Sequence, residues 1–293
     1  MKNFLWICLL FLFCAKASSG IVKERDVWKV AGEFSEAEIS KKLLEIEAFA
    51  HKDKLEAAKM AERLARSADA SEIVAKDGTS LALMLDSLAL FYRDGGSYGN
   101  DEMIARAGEL LEKYQKEAEG KRLDAYLELY RRQCDGFFRL ERRAELLDVM
   151  KKMVLYNPFD YSNVAMLLKE VSHNPENAGN FRDFLTDFTK AGGKITPEME
   201  FLSLLLEKKS ADAYWWLENN YAIDKHELLR SLDYLAAFLT IEDKDSLLAY
   251  QKALTTLALR LPVTESGKET FAAVLNLREK ITTVTGKKNT FTE

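Results

Sequence analysis

The stretch 121–157 constrains the fold most, because it holds two apolar stripes at helical spacing directly before a proline. Seven apolar residues of its first half share one face of a predicted helix: Leu123, Tyr126, Leu127, Tyr130, Cys134, Phe137 and Phe138. The second half repeats the pattern: Leu140, Ala144, Leu147, Met150 and Val154. Pro158 cannot continue a helix and so ends the second one. Neither helix can bury its stripe alone, so the stretch predicts a helix pair that packs against further helices.

The whole chain follows this pattern and predicts an all-α fold. Its 293 residues include only 4 prolines and 14 glycines, so few positions interrupt a helix. No run of alternating β-branched residues bounded by turn signals predicts a strand. Besides the central pair, the apolar periodicity predicts helices over 35–50, 53–68, 80–93, 101–118, 160–173, 177–191, 197–209, 211–221, 224–240, 243–261 and 266–284. Successive pairs begin roughly 27 to 41 residues apart, a spacing typical of helical repeat proteins.

Several helix ends carry their own signals. Gly192 and Gly193 follow the helix 177–191, and glycine is the residue best suited to the backbone reversal after a helix. Thr196 precedes a proline and is predicted to cap the helix 197–209. Ser266, with Glu269 three residues later, predicts a capping box at the last helix.

Some of these pairs are similar to tetratricopeptide repeats. Four residues of the helix 80–93 fit that family's order of large apolar, leucine, small and aromatic residues: Leu85, Leu88, Ala89 and Tyr92. Ala249, Ala253 and Pro262 match its second helix and closing proline with small displacements. The resemblance covers most of 35–261 and implies an α-solenoid of stacked helix pairs. A non-repeating helical bundle has nearly the same sequence pattern and remains the alternative.

The N-terminus has the pattern of a cleaved signal peptide. Lys2 is followed by an apolar run over 4–13 and by the small residues of Ala15-Lys16-Ala17. A run of about ten residues is too short for a bilayer, which needs roughly 20. We expect cleavage after residue 17, which makes Ser18 the first residue of the mature protein, and no stable membrane span after it.

Lipidation at Cys14 is the alternative, although the residues before it are bulkier than a lipobox requires. The bacterial periplasm or cell envelope is favoured over secretion because the chain contains no N-glycosylation sequon.

Net charge and cysteine content argue against a nucleic-acid-binding protein and against a disulfide-stabilised one. Loss of Lys2 and Lys16 with the signal changes the formal net charge from −5 to −7, which argues against nucleic-acid binding. Basic residues do cluster between 121 and 143, but acids at helical spacing, such as Glu128 before Arg132 and Asp135 before Arg139, predict a solvated helix face. Cys134 is then the only cysteine, so no internal disulfide forms and we expect a buried thiol.

No residue pattern predicts a catalytic centre, a metal site or a cofactor. His51, His173 and His226 are far apart in the sequence and lack metal-ligand spacing. The loop 94–102 lacks oxygen-bearing side chains at the positions that calcium requires. Glycan hydrolysis needs only two carboxylates, but nothing selects two among the 47 acidic residues.

Aromatic residues of the helix 211–221 are the best candidates for binding a partner: Tyr214, Trp215, Trp216 and Tyr221. Adjacent helical residues point about 100° apart, so the two tryptophans cannot share one narrow stripe. We expect Trp216 and Tyr221 to face the core and Trp215 or Tyr214 to lie at the edge of a groove. The alternative places both tryptophans in the core.

The sequence therefore predicts an exported helical-repeat scaffold that binds a protein or peptide partner and has no catalysis of its own. Residues 1–17 are the signal, 18–34 an N-terminal arm, 35–284 the helical domain and 285–293 a frayed tail. An envelope enzyme acting on glycan through paired carboxylates, and a purely structural protein, are the alternatives. The oligomeric state is not predicted.

Overall fold

The computed structural model describes residues 28–29, 36–70, 74–75, 80–94, 98–239, 241–262 and 265–286. Within these ranges the regular secondary structure is helical except for one short antiparallel pairing, in which β1 (Trp28–Lys29) lies beside β2 (Val74–Ala75). The all-α class is thus confirmed. The predicted signal peptide, most of the predicted arm and residues 287–293 of the predicted tail lie outside the described residues.

The described residues form fourteen α-helices whose bounds follow the sequence prediction closely. They are α1 (Glu36–Ala50), α2 (Lys54–Ala70), α3 (Leu81–Arg93), α4 (Asn100–Lys113), α5 (Gln115–Ala118), α6 (Asp124–Arg139), α7 (Arg143–Tyr156), α8 (Tyr161–His173), α9 (Phe181–Lys190), α10 (Pro197–Leu206), α11 (Ser210–Asn219), α12 (Lys225–Phe238), α13 (Lys244–Arg260) and α14 (Glu265–Thr285). Two predictions need correction. The helix 101–118 is split at Tyr114, and α9 begins only at Phe181 because a 3-10 turn and Gly179, with φ of 60°, precede it.

The helix ends agree with the sequence in one case and differ in two. Gly192 has φ of 91°, and the amides of Gly192 and Gly193 donate to the last turn of α9, so the predicted glycine stop is confirmed. Thr196 precedes α10, but its side chain makes no capping hydrogen bond. Helix α14 begins at Glu265, one residue before the predicted cap Ser266, and Glu269 forms an ion pair with Lys225.

Two helices are enclosed by the others. On α3 the buried residues cover most of the circumference, and on α10 the same is true. Most of these buried residues are apolar, and a helix that is buried on most sides lies inside the protein. Helix α3 packs against α2, α4 and α6, whereas α10 packs against α8, α9, α11 and α12. The core is therefore organised around α3 in the N-terminal half and α10 in the C-terminal half.

The two apolar clusters meet on α6. Leu129 belongs to the N-terminal cluster and Cys134, on the same helix, to the C-terminal cluster. Tyr130 lies between them and contacts both. Its ring packs edge-on against Tyr126 at 5.5 Å, and the ring of Tyr156 packs against Tyr126 in a tilted arrangement at 4.9 Å. The predicted stripe of α6 is wrong at one position, because Phe138 is 55% exposed.

Helix contacts follow chain order with two exceptions. Most packed pairs are consecutive helices or helices separated by one other. Helix α3 contacts α6 across α4 and the short α5. Helix α8 contacts α12, with three helices between them in the chain. In a one-dimensional stack each pair contacts only its neighbours, so the contact between α8 and α12 departs from that geometry.

Helices α4 and α6 approach closely at Gly136, which leads to a testable prediction. A Cβ atom there would lie 2.6 Å from Ile104 Cγ1 and 3.2 Å from the Asn100 carbonyl oxygen. We expect Gly136→Ala to lower the free energy of unfolding by roughly 1–3 kcal/mol, because the added methyl group has no space. This loss outweighs the stability gained from the greater helix propensity of alanine. Urea denaturation measures the loss.

Gly108→Ala on α4 is the matched control. There the nearest atom to the added Cβ is the flexible Nε2 of Gln133, at 3.2 Å. We expect unchanged or slightly greater stability, since the side chain can move and alanine favours the helix. Equal stability of the two variants would contradict the close approach at Gly136.

Candidate partner-binding surface

Helix α11 turns one of its two tryptophans inward and the other outward. Trp216 is 4% exposed, and its ring packs against Phe201 of α10 at 4.6 Å. Leu217 is fully buried beside it. Trp215 is 65% exposed, as the rotation of about 100° between adjacent residues requires. Of the two, only Trp215 therefore presents its indole to solvent.

The other two aromatic candidates differ from each other. Tyr214 is half-buried, and its ring lies edge-on to Tyr250 of α13 at 4.6 Å. Tyr221 is 41% exposed, so the expectation that it faces the core is wrong. The reason is that α11 ends at Asn219, after which the helical periodicity no longer fixes the direction of a side chain. The side-chain amide of Asn219 donates to the Trp215 carbonyl in this last turn, at 2.8 Å.

A cation from α13 completes this region. The guanidinium of Arg260 lies 5.6 Å from the centre of the Tyr221 ring. Its Nη1 donates a hydrogen bond to the backbone carbonyl of Glu218 at 2.5 Å. We call the exposed region formed by Asp212, Trp215, Glu218 and Tyr221, with Arg260 at its border, the α11 surface.

An apolar groove of about 420 Å³ lies between α13 and α14. Leu259 lines it from α13 and is 83% exposed. Phe271 and Leu275 line the opposite side and are 43% and 42% exposed. Sequence reasoning missed this groove, because both helices carry ordinary amphipathic patterns and nothing marks which apolar residues lack a covering helix.

The N-terminal half contains a dense polar cluster that holds the helices together. Arg93 on α3 donates two hydrogen bonds to Glu62 on α2, at 2.7 and 3.0 Å. Asp86 is 6% exposed and accepts from the Tyr114 hydroxyl at 2.7 Å and from Lys113 at 3.4 Å. Burial is the main cause that raises the pKa of Tyr114, and the charge of Asp86 raises it further. Each of these carboxylates accepts a hydrogen bond from a cation or a hydroxyl, so the cluster stabilises the packing of α2, α3 and α4.

The basic residues of α6 also form ion pairs within the protein. Arg132 binds Glu128 on its own helix and Asp94 after α3, the latter at 2.5 Å. Arg139 pairs with Asp94 at 2.9 Å rather than with Asp135 as predicted. Glu128 is only 2% exposed, so the prediction of a solvated face is wrong at this position. These residues therefore connect α6 to the end of α3.

Cys134 has the properties of a structural thiol. It is 8% exposed, and burial, assisted by the charge of Asp135, raises the pKa of its thiol to about 12. A thiol with such a pKa is protonated at neutral pH and is a poor nucleophile. Among the described residues no group of three or more His, Cys, Asp and Glu side chains is placed to hold a metal ion.

Comparisons with protein-family models, curated proteins and solved structures found no match for this chain. Within the described ranges, no helix has the length and apolar character needed to cross a membrane.

Proposed function

We propose that the protein is a non-catalytic helical scaffold that binds a protein or peptide partner through the α11 surface. The observation that carries this proposal is the 65% exposure of Trp215 on a helix fixed in the core by Trp216. Tryptophan and tyrosine are enriched where proteins bind each other, because they contribute a large rigid contact area. Tyr221 lies near the end of the same helix and adds a second exposed ring.

We also propose that the helix pairs stack in a tetratricopeptide-like solenoid. The packing of helices against their near neighbours in the chain supports this arrangement. The contact between α8 and α12 supports the alternative of a closed bundle over residues 161–238. A solenoid leaves an extended surface along one side, which suits the binding of a peptide.

The proposed cellular location is outside the cytoplasm, with the bacterial periplasm or cell envelope favoured and secretion as the alternative. Its support is the sequence pattern of residues 1–17 and the absence of sequons. Mass spectrometry of the protein purified from a cell fraction tests it, since cleavage after Ala17 leaves Ser18 at the N-terminus.

The alternative of a glycan-cleaving enzyme with paired carboxylates has less support. Three carboxylates are buried in the described residues, and each is already engaged. Asp86 binds the Tyr114 hydroxyl, Glu128 binds Arg132 and Glu198 binds Arg230. None of these pairs resembles an acid and a base facing a substrate cleft.

Peptide selection on the immobilised full-length protein tests the proposed function. We expect Trp215→Ala to weaken the binding of selected peptides by about 2 kcal/mol, the threshold loss for an interface hot spot. Tyr161→Ala is the matched control, because Tyr161 is 68% exposed on α8, outside the α11 surface. Peptides that bind both variants equally well would contradict the assignment of this surface.

A further inference from the structure

The α11 surface has an unbalanced charge. From residue 210 to residue 224 the chain contains three acidic residues and no lysine, arginine or histidine. Lys209, immediately before this segment, forms an ion pair with Glu207 at 2.6 Å. Among the described residues, no cation lies within ion-pair distance of Asp212 or Glu218. Their charges are therefore available to a partner.

These two acids bracket the exposed tryptophan. Asp212 precedes Trp215 by three residues and Glu218 follows it by three, and residues at this spacing are neighbours on a helix surface. Asp212 is exposed and Glu218 half-exposed. A cation above the indole would thus have a carboxylate on either side.

The surface already has one cation over an aromatic ring. Arg260 lies against the Tyr221 ring and donates to the Glu218 carbonyl. The indole of tryptophan attracts a cation more strongly than the ring of tyrosine does. Trp215 has no such contact among the cation–π pairs of the described residues. The most favourable ring on the surface thus remains available for a cation.

We propose that the partner segment bound by the α11 surface is cationic, with a lysine or arginine side chain over Trp215 and its charge between Asp212 and Glu218. This inference rests on the proposed function and specifies the chemistry of the partner. The negative net charge of the chain adds a long-range attraction for such a segment.

Fluorescence anisotropy with three labelled peptides of equal length tests the proposal: one rich in lysine, one rich in glutamate and one uncharged. We expect the full-length protein to bind the lysine-rich peptide best, with an affinity that decreases as salt is added. Trp215→Ala is expected to weaken this binding about fivefold, the loss of one cation–π contact. The double variant D212N/E218Q is expected to weaken it to a similar extent.

The double variant E112Q/E119Q is the matched control for charge, because it also removes two acids and both are exposed in the N-terminal half. Equal losses in E112Q/E119Q and in D212N/E218Q would overturn the proposal, since general attraction to an acidic protein explains that result. Retention of full affinity in Trp215→Ala would overturn it for the same reason.

The outcomes separate this inference from the proposed function. If peptides selected from a library need Trp215 but carry no positive charge, the proposed function is supported and the cationic partner is excluded. If no selected peptide depends on Trp215, the α11 surface itself is excluded. If the lysine-rich peptide binds the unmodified protein but binds Trp215→Ala and D212N/E218Q more weakly, the proposed function and the cationic partner are both supported.

Discussion

Trp216→Ala is expected to lower the free energy of unfolding by about 3–5 kcal/mol, the usual cost of removing a buried tryptophan. The ring of Trp216 is 4% exposed and packs against Phe201, so its loss leaves a cavity between α10 and α11. Urea denaturation followed by far-UV circular dichroism measures this change and does not depend on the fluorescence of the residue replaced.

Trp215→Ala is the matched control, one residue away on the same helix. Trp215 is 65% exposed, so we expect a change of no more than about 0.5 kcal/mol. Comparable losses of unfolding free energy in the two variants would mean that Trp215 is buried as well, which contradicts this orientation of α11. A stable Trp215→Ala protein also allows its loss of peptide binding to be attributed to the surface.

Arg132→Met is expected to cost about 3 kcal/mol of unfolding free energy, because it leaves a carboxylate buried without its main partner. Glu128 is 2% exposed and binds Arg132, which also connects to Asp94 beyond α3. Arg131 lies 3.6 Å from Glu128 and compensates only in part. Chemical denaturation of the variant and the unmodified protein gives the difference.

Arg131→Met provides the comparison for Arg132→Met. The Arg131 side chain is 41% exposed, and exposed ion pairs contribute about 0–1 kcal/mol. We therefore expect a small loss. If both variants lost the same stability, the distinction between a buried and an exposed arginine on α6 would not hold.

Periodicity and chain breakers predicted most of the helices. The predicted helix 160–173 corresponds to α8 almost residue for residue. Glycine at 192 stopped α9 where expected, because only that residue type readily accepts a positive φ there. These signals are local, so they can be read without knowledge of the neighbouring helices.

Contacts between distant parts of the chain could not be predicted. Asp94 and Arg132 are 38 residues apart and meet only because α3 packs against α6. Sequence spacing suggested that Arg139 pairs with Asp135, although Arg139 instead pairs with Asp94. Helical spacing indicates which partners are possible, whereas tertiary packing determines which of them form.

Only part of the candidate surface was predicted, because tertiary packing also determines which of its residues are exposed. The rotation between adjacent helical residues predicted that Trp215 and Trp216 diverge, and the expectation that Trp216 faces the core is confirmed. The spacing did not predict its neighbour, Phe201 on α10, whose ring lies against Trp216. Tyr221 was misplaced because the end of α11 at Asn219 has no strong stop signal in the sequence.

The sharing of α6 by both apolar clusters has a consequence for how the chain can be divided. Tyr126 anchors the helix in one cluster and Phe137 anchors it in the other, with no loop between them. A protease or a gene-level truncation has no exposed connection to cut at this boundary, since any break in α6 removes core residues from both sides. We therefore expect neither half to fold alone when the chain is divided within α6.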